Sequence, residues 1–177
     1  KFYPYKTNTK NKILCIGRLN KQKNYKLLFN ALKDTNYEVD IYGHGDQYQY
    51  KSLIKEYKLN VNFLGNIKNN KLPLVYNSYK LFVLCSLYEG HPKALLEALS
   101  CGSNCIATKV PGISELYNGN NFQIVDLNSQ ELKLKIISIM NNPNIEKNFH
   151  ANKFINDNYS LSIISLKYLK LYEKLNK

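Results

Sequence analysis

The chain of 177 residues has no tryptophan and one methionine, and its one arginine is Arg18; every other cation is lysine. It contains no apolar run near the roughly 18 residues that a membrane-crossing helix needs. The segment 1–12 is polar and lacks the apolar stretch of a secretory signal. The four cysteines (Cys15, Cys85, Cys101 and Cys105) form no C-x-x-C pair, and His44, His91 and His150 complete no zinc spacing. Cys15 and Cys85 lie inside apolar runs and read as buried free thiols. A reduced, cytoplasmic setting follows. Acidic residues are scarce, 13 against 25 Lys and Arg, for a formal net charge of +12. The lysines are spread out, with no dense basic block, so they describe a solvated basic surface rather than a nucleic-acid footprint. Attraction to anionic lipid, and so a peripheral association with the inner face of a membrane, is compatible with that charge.

With 44% hydrophobic residues the chain can build a core, and its length suits one domain. Short β-branched runs alternate with helical periodicities. Residues 13–17 read as a buried strand ending in Gly17, and 25–33 as a helix. Residues 39–42 are a second strand, stopped by Gly43; 48–57 are a helix; 61–64 are a third strand, stopped by Gly65. A short helix over 72–78, a strand over 81–84 and a helix over 92–100 follow. Residues 105–108 and 122–125 are further strands, and Ser129 is the expected N-cap of a helix running to Met140. Such alternation predicts an α/β fold, a Rossmann-like parallel sheet with helices on both faces. Ligands then sit beyond the C-terminal strand ends, near Gly17, Gly43, Gly65 and the loop after Leu84. From Asn142 onward strands cease. Residues 145–156 and 161–175 read as two helices, the second amphipathic and in search of a partner surface.

Two loops could carry chemistry. In Gly17-Arg18-Leu19-Asn20-Lys21-Gln22-Lys23, strand meets helix, so backbone N–H groups converge on one spot, a geometry suited to an anion. Arg18 and Lys23 add two cations, and the planar guanidinium suits phosphate. A surface arginine in an exposed loop reads equally well from this loop alone. The second region is Tyr88-Glu89-Gly90-His91-Pro92-Lys93-Ala94-Leu95-Leu96-Glu97-Ala98. Pro92 fits the first turn of a helix. Glu97 sits among Ala94, Leu95, Leu96, Ala98 and Leu99, where a carboxylate is costly unless it is hydrogen-bonded. The adjacent hydroxyls of a ribose can both donate to one carboxylate; the alternative is that Glu97 points to solvent. Glu89, at the tip of the preceding loop, could accept from sugar hydroxyls or be an ordinary loop residue.

In this order and spacing the motifs closely resemble the C-terminal domain of GT-B-fold, retaining glycosyltransferases of family 4, the "glycosyl transferases group 1" domain, over residues 12–140. The family's G-R-L-x-x-x-K is similar to Gly17-Arg18-Leu19 with Lys23, and its G-x-G to Gly43-His44-Gly45. Its F-L-G matches Phe63-Leu64-Gly65. Its E-G-x-P-x-x-x-x-E matches Glu89, Gly90, Pro92 and Glu97. The following A-x-x-C/A-G resembles Ala98 to Gly102, and its P/G-G-I-x-E resembles Pro111-Gly112-Ile113-Ser114-Glu115. Asn24 departs from the family's frequent Gly, and His91 from its frequent Phe.

The resemblance implies a nucleotide-diphosphate sugar as donor and no metal, consistent with the absence of D-x-D; the nearest stretch is Glu38-Val39-Asp40. It implies that Arg18 and Lys23, at the strand end marked by Gly17 and Gly43, hold the diphosphate and that Glu97 holds the ribose. Glu89, with the amides of Gly90, His91 and Lys93 around Pro92, would hold the sugar and distal phosphate, and the backbone near Ile67 the base edge. Glu89, Arg18 and Lys23 are the expected catalytic set, with His91 acting through its backbone. Residues 1–11 resemble the end of an interdomain linker, 12–142 the donor-binding domain, and 143–177 helices that return to an N-terminal domain. That domain would bind the glycan or glycolipid acceptor, as in polysaccharide biosynthesis. Two other readings stand beside this one: a non-catalytic nucleotide-sugar-binding module, and a basic nucleic-acid-binding domain whose binding would fall steeply with salt.

Overall fold

A computed structural model describes residues 2–176. Six strands form one sheet: β1 (Lys10–Ile16), β2 (Glu38–Tyr42), β3 (Asn60–Gly65), β4 (Tyr79–Leu84), β5 (Cys105–Thr108) and β6 (Gln123–Val125). Their order is β3-β2-β1-β4-β5-β6, and every neighbouring pair is parallel. The chain winds outward from β1 to β3, then returns to lay β4 on the other side of β1. The order reverses between β1 and β4, so the crevice at their C-terminal ends is where an open α/β sheet takes a ligand.

The central strand explains its own composition. Leu14 lies between Asp40 of β2 and Phe82 of β4, and Ile13, Leu14 and Cys15 are all buried. A strand covered on both faces needs a continuous apolar run rather than an alternating one. Successive side chains still point to opposite faces. Ile13 and Cys15 enter one core with α1 (Tyr25–Leu32), α2 (Lys51–Glu56) and α5 (Ser129–Met140). Leu14 enters the other with α3 (Leu72–Asn77), α4 (Lys93–Ser100) and α6 (Phe149–Tyr159). The expected Rossmann-like architecture is therefore present, and all four cysteines are buried and free.

Element ends differ from the sequence expectations where a side-chain amide or a backbone tether decides them. Asn128, not Ser129, caps α5: its Oδ1 accepts from the N–H groups of Gln130 (2.8 Å) and Glu131 (3.1 Å), which moves the cap back one residue. Pro92 stands at the N-cap of α4 rather than in its first turn, and its carbonyl accepts from Leu95 and Leu96. The helix expected over 48–57 is a 3-10 turn, Tyr48–Tyr50, leading into α2. The helix expected from residue 145 begins at Phe149. Asn148 is tethered by its N–H to the carbonyl of Gly102 (2.8 Å) and caps the helix through Ala151 N (2.9 Å). The last helix, α7 (Leu161–Leu175), forms as expected. None of its described side chains is buried, and Leu161, Leu169 and Leu175 stand exposed. No helix among the described residues is long and apolar enough to cross a membrane.

Backbone contact ties the strand ends together. The N–H of Gly17 donates to Tyr42 O (2.9 Å), that of Gly43 to Gly65 O (2.8 Å), and that of Leu19 to His44 O (2.8 Å). A Cβ on Gly43 would lie 1.9 Å from Gly17 O, at a φ of +153°. Asn24 adopts a left-handed backbone, φ 47° and ψ 44°, between the first turn and α1. That conformation explains why glycine suits this position in the similar family, and asparagine tolerates it as well. Gly43→Ala is expected to lower the unfolding free energy by about 1–3 kcal/mol. Asn24→Ala should cost about 1 kcal/mol while Asn24→Gly changes it by a few tenths. Urea unfolding measures all three; an unaffected Gly43→Ala protein would contradict the close approach of these loops.

Candidate functional site

A cleft of about 510 Å³ opens at the C-terminal ends of β1 and β4. One wall is the loop of residues 17–24, the other the loop of residues 85–92 and the start of α4. Gln22 joins them: its carbonyl accepts from Leu87 N (2.8 Å) and its Nε2 donates to Tyr88 O (3.0 Å). The first loop is shaped from within. Asn20 Oδ1 accepts from Lys23 N at 3.1 Å, capping the turn Lys21–Lys23. Tyr25 donates its hydroxyl to Gly17 O at 3.0 Å. The Lys23 side chain lies over Gly17, where an added Cβ would stand 2.9 Å from Lys23 Cε.

Lys23 and Glu89 meet across the cleft floor. Glu89 Oε1 accepts from Lys23 Nζ and from Ser86 Oγ, both at 2.6 Å. Only 7% of the Glu89 side chain and 15% of the Lys23 side chain are exposed. Glu89 is thus not an open loop tip but a nearly buried carboxylate held by an ammonium and a hydroxyl. Its loop is fixed from beneath. Thr108 Oγ1 donates to Ser86 O at 2.6 Å. Gly112, at φ +79°, packs so closely that a Cβ would fall 2.0 Å from Glu89 O. Arg18 lines the same cleft, exposed and in no ion pair among the described residues.

Glu97 faces the cleft from the second turn of α4 and is 12% exposed, which removes the solvent-facing alternative. Its Oε2 accepts from the Tyr76 hydroxyl at 3.0 Å; Lys93 Nζ stands 3.7 Å from Oε1. Burial pushes the Glu97 carboxyl above its ordinary value, while Tyr76 and then Lys93 pull it back. His91 and Lys93 line the cleft rim, both exposed. Gly90 is exposed and Pro92 buried, and neither lines the cleft. The Lys93 N–H, expected to face a ligand, donates instead to His91 O at 2.8 Å. Gly43 supports Gly17 from behind rather than lining the cleft. Ile67 is half-buried against the second core, while its neighbours Asn69 and Leu72 do reach the cleft.

Sequence reasoning missed Gln22, Asn69, Ser86 and Tyr76. Ser86 and Gln22 had a signal, since each is a polar residue in a loop already singled out. Tyr76 had none: it is fully buried on a short helix, and nothing in the sequence separates it from a core aromatic.

Residues 3–155 match the family model described as Glycosyl transferases group 1. The chain belongs to that family. An uncharacterized glycosyltransferase of Methanocaldococcus jannaschii is 26% identical over 168 residues, which covers 92% of this chain and 48% of that protein. A Campylobacter jejuni alpha-1,4-N-acetyl-D-galactosaminyltransferase, acting on an undecaprenol-linked glycan by its name, is 29% identical over 174 residues, 91% of this chain and 47% of its own length. The chain spans about half the length of these curated relatives. Among solved structures, sucrose-phosphate synthase from Thermosynechococcus elongatus superposes with a TM-score of 0.86 at 22% identity, covering 98% of this chain and 49% of that one. TarM of S. aureus, in a complex that includes UDP, gives a TM-score of 0.81 at 26% identity, with 96% and 37% covered. The sheet of this glycosyl transferases group 1 chain is thus of GT-B type.

Two glycines, Gly90 on the Glu89 loop and Gly112 packed against it from the segment after β5, separate packing from mere position. Gly112→Ala should lower the unfolding free energy by about 1–3 kcal/mol. Gly90→Ala, whose added Cβ meets nothing within 4 Å, should change it by about 0.5 kcal/mol or less. Thermal melts of the two variants measure the difference; equal melting temperatures would show that the Pro111-Gly112 turn does not set the Glu89 loop.

Proposed function

We propose that this chain is the donor-binding domain of a retaining glycosyltransferase of family 4, which moves a sugar from a nucleotide-diphosphate donor to a glycan or glycolipid acceptor. One observation carries the reading: Arg18, Lys23, Glu89 and Glu97 line a single cleft at the reversal point of the sheet. A diphosphate needs cations at one end of such a cleft, and a ribose needs an acceptor at the other.

Breaking the anomeric C–O bond leaves negative charge on the departing diphosphate. Arg18 presents a planar fork of donors at the end of β1. Lys23 has three ammonium protons; the one on Glu89 fixes its position, and two remain for phosphate oxygens. Charges fixed before the reaction stabilise the developing anion without reorganisation. Cations in these positions do the work that a bound metal does elsewhere, so transfer is proposed to need none. Glu89, anchored by Lys23 and Ser86, accepts from the donor sugar through its second oxygen, alongside the His91 amide. Glu97 accepts from the 2′- and 3′-hydroxyls. The relatives' lengths suggest that a second domain presents the acceptor, and the exposed apolar side of α7 is proposed as part of the contact with it. A cytoplasmic site of action, at the inner face of a membrane where the acceptor is lipid-linked, fits the galactosaminyltransferase relative's name and the basic surface. No observation favours the non-catalytic or nucleic-acid-binding alternatives.

Thermal-shift titration with uridine, guanosine and adenosine diphosphates tests this. One of them should stabilise the chain, by about 2.7 kcal/mol at a hundredfold excess over Kd. Glu97→Ala should weaken that ligand at least about tenfold. In an active full-length enzyme, Arg18→Ala should slow transfer on the order of 10²-fold. A chain that none of the three stabilises, or whose ligand ignores Glu97→Ala, would overturn the reading.

A further inference from the structure

Within the donor-binding reading, on which this inference rests, we propose that Tyr76 is the positioning residue that aims Glu97 at the donor's ribose. Tyr76 lies on α3, not on the loops that form the cleft, and is wholly buried. Its ring is wedged edge-on between Phe82 of β4 (centroids 5.6 Å apart) and Phe2 (6.0 Å). Its carbonyl accepts from Ser103 Oγ at 3.0 Å. The next residue, Asn77, is locked by its own amide to Tyr3 O (3.1 Å) and Pro73 O (2.8 Å). The hydroxyl therefore has a fixed place, and it donates to Glu97 Oε2 at 3.0 Å.

Glu97 needs that hold. A glutamate side chain has three rotatable bonds, and the other donor near its carboxylate is Lys93, whose side chain is 75% exposed. Tyr76 takes one lone-pair site on Oε2. The carboxylate keeps the rest, enough for two hydroxyl donors of a vicinal diol. Burial and the neighbouring carboxylate push the Tyr76 phenol well above its ordinary value, so the hydroxyl stays protonated and only donates to Glu97. Tyr76 touches no substrate in this arrangement; it fixes the group that does.

A merely structural Tyr76 and a positioning one respond differently to the ribose hydroxyls. The 177-residue chain is titrated calorimetrically with the nucleoside diphosphate that binds it and with its 2′,3′-dideoxy counterpart. Tyr76→Phe should weaken the ribonucleotide about tenfold and leave the dideoxy compound within about twofold. Equal weakening of both, or of neither, overturns the positioning role. A wild-type chain that binds a nucleoside diphosphate but does not prefer the ribose form overturns it too, while leaving the diphosphate site standing. A wild-type chain that binds no nucleoside diphosphate defeats the donor-binding reading itself.

The pH profile supplies a second readout. Glu97 accepts two hydroxyls only when ionised, so the preference for ribose is complete above its pKa and lost as pH falls through it. The Tyr76 hydrogen bond lowers that pKa. Tyr76→Phe should therefore move the loss of preference to higher pH. Replacing Tyr76 by a difluorotyrosine, which keeps the ring and makes its hydroxyl a stronger donor, should move it to lower pH. Midpoints that stay together, or shift with the opposite sign, overturn the proposal. The fluorinated side chain retains the native shape and answers the question even where the Phe variant folds poorly.

Discussion

Lys23 and Glu89 lie 66 positions apart in sequence and 2.6 Å apart in space. Their contact joins the loop after β1 to the loop after β4, at the place where the sheet changes direction. Each group is mostly removed from water, where a lone charge is expensive and a paired one tolerable. Removing either partner would leave the other as an uncompensated charge at the cleft floor. The remaining features of the site follow from keeping these two loops together. Gln22 bridges them through its carbonyl and its side-chain amide, Ser86 shares the Glu89 carboxylate, and Thr108 and Gly112 fix the backbone below.

Close backbone approach is the second constraint, and it explains where the glycines fall. Gly43 lets β2 end against Gly17, and Gly112 lets the segment after β5 touch the Glu89 loop. In both places a methyl group would occupy the space of a carbonyl oxygen. Neither glycine has to contact a ligand to be essential to the cleft. Gly43, expected from the sequence as a binding residue, is in the structure a spacer behind Gly17, which lines the cleft.

The sheet was legible in the sequence because its strands are short runs rich in apolar residues, three of them closed by Gly17, Gly43 and Gly65, and parallel strands covered on both faces require such runs. Helix starts were legible to within a residue at α1, α4 and α5, but missed by three or four residues at α2 and α6. Asn128 and Ser129 are both good caps, and only the bonds from Gln130 and Glu131 decide between them. Phe149 begins its helix late because Asn148 is tethered to Gly102, a contact between distant residues that periodicity does not encode. In the site, Glu97 was legible as an anomaly, a carboxylate on an apolar helix, and it proves to be held inside the cleft. Arg18 stood out as the one guanidinium in a lysine-rich chain. The partner of Glu97 was not legible, since a buried tyrosine on a short helix looks like core until its hydroxyl is seen to point at a carboxylate. Nor was the pairing of Lys23 with Glu89, each of which was assigned to a ligand rather than to the other.

The account stands on a diphosphate lying over the end of β1. A crystal of this chain soaked with the nucleoside diphosphate that stabilises it tests that claim most directly. Density for both phosphates should lie within hydrogen-bonding reach of the Arg18 guanidinium and the Lys23 ammonium, with the ribose hydroxyls on Glu97. A ligand seated instead beside the edge strand β6, in the polar cavity of about 400 Å³ lined by Gln123 and Lys135, with the cleft between β1 and β4 empty, would contradict it.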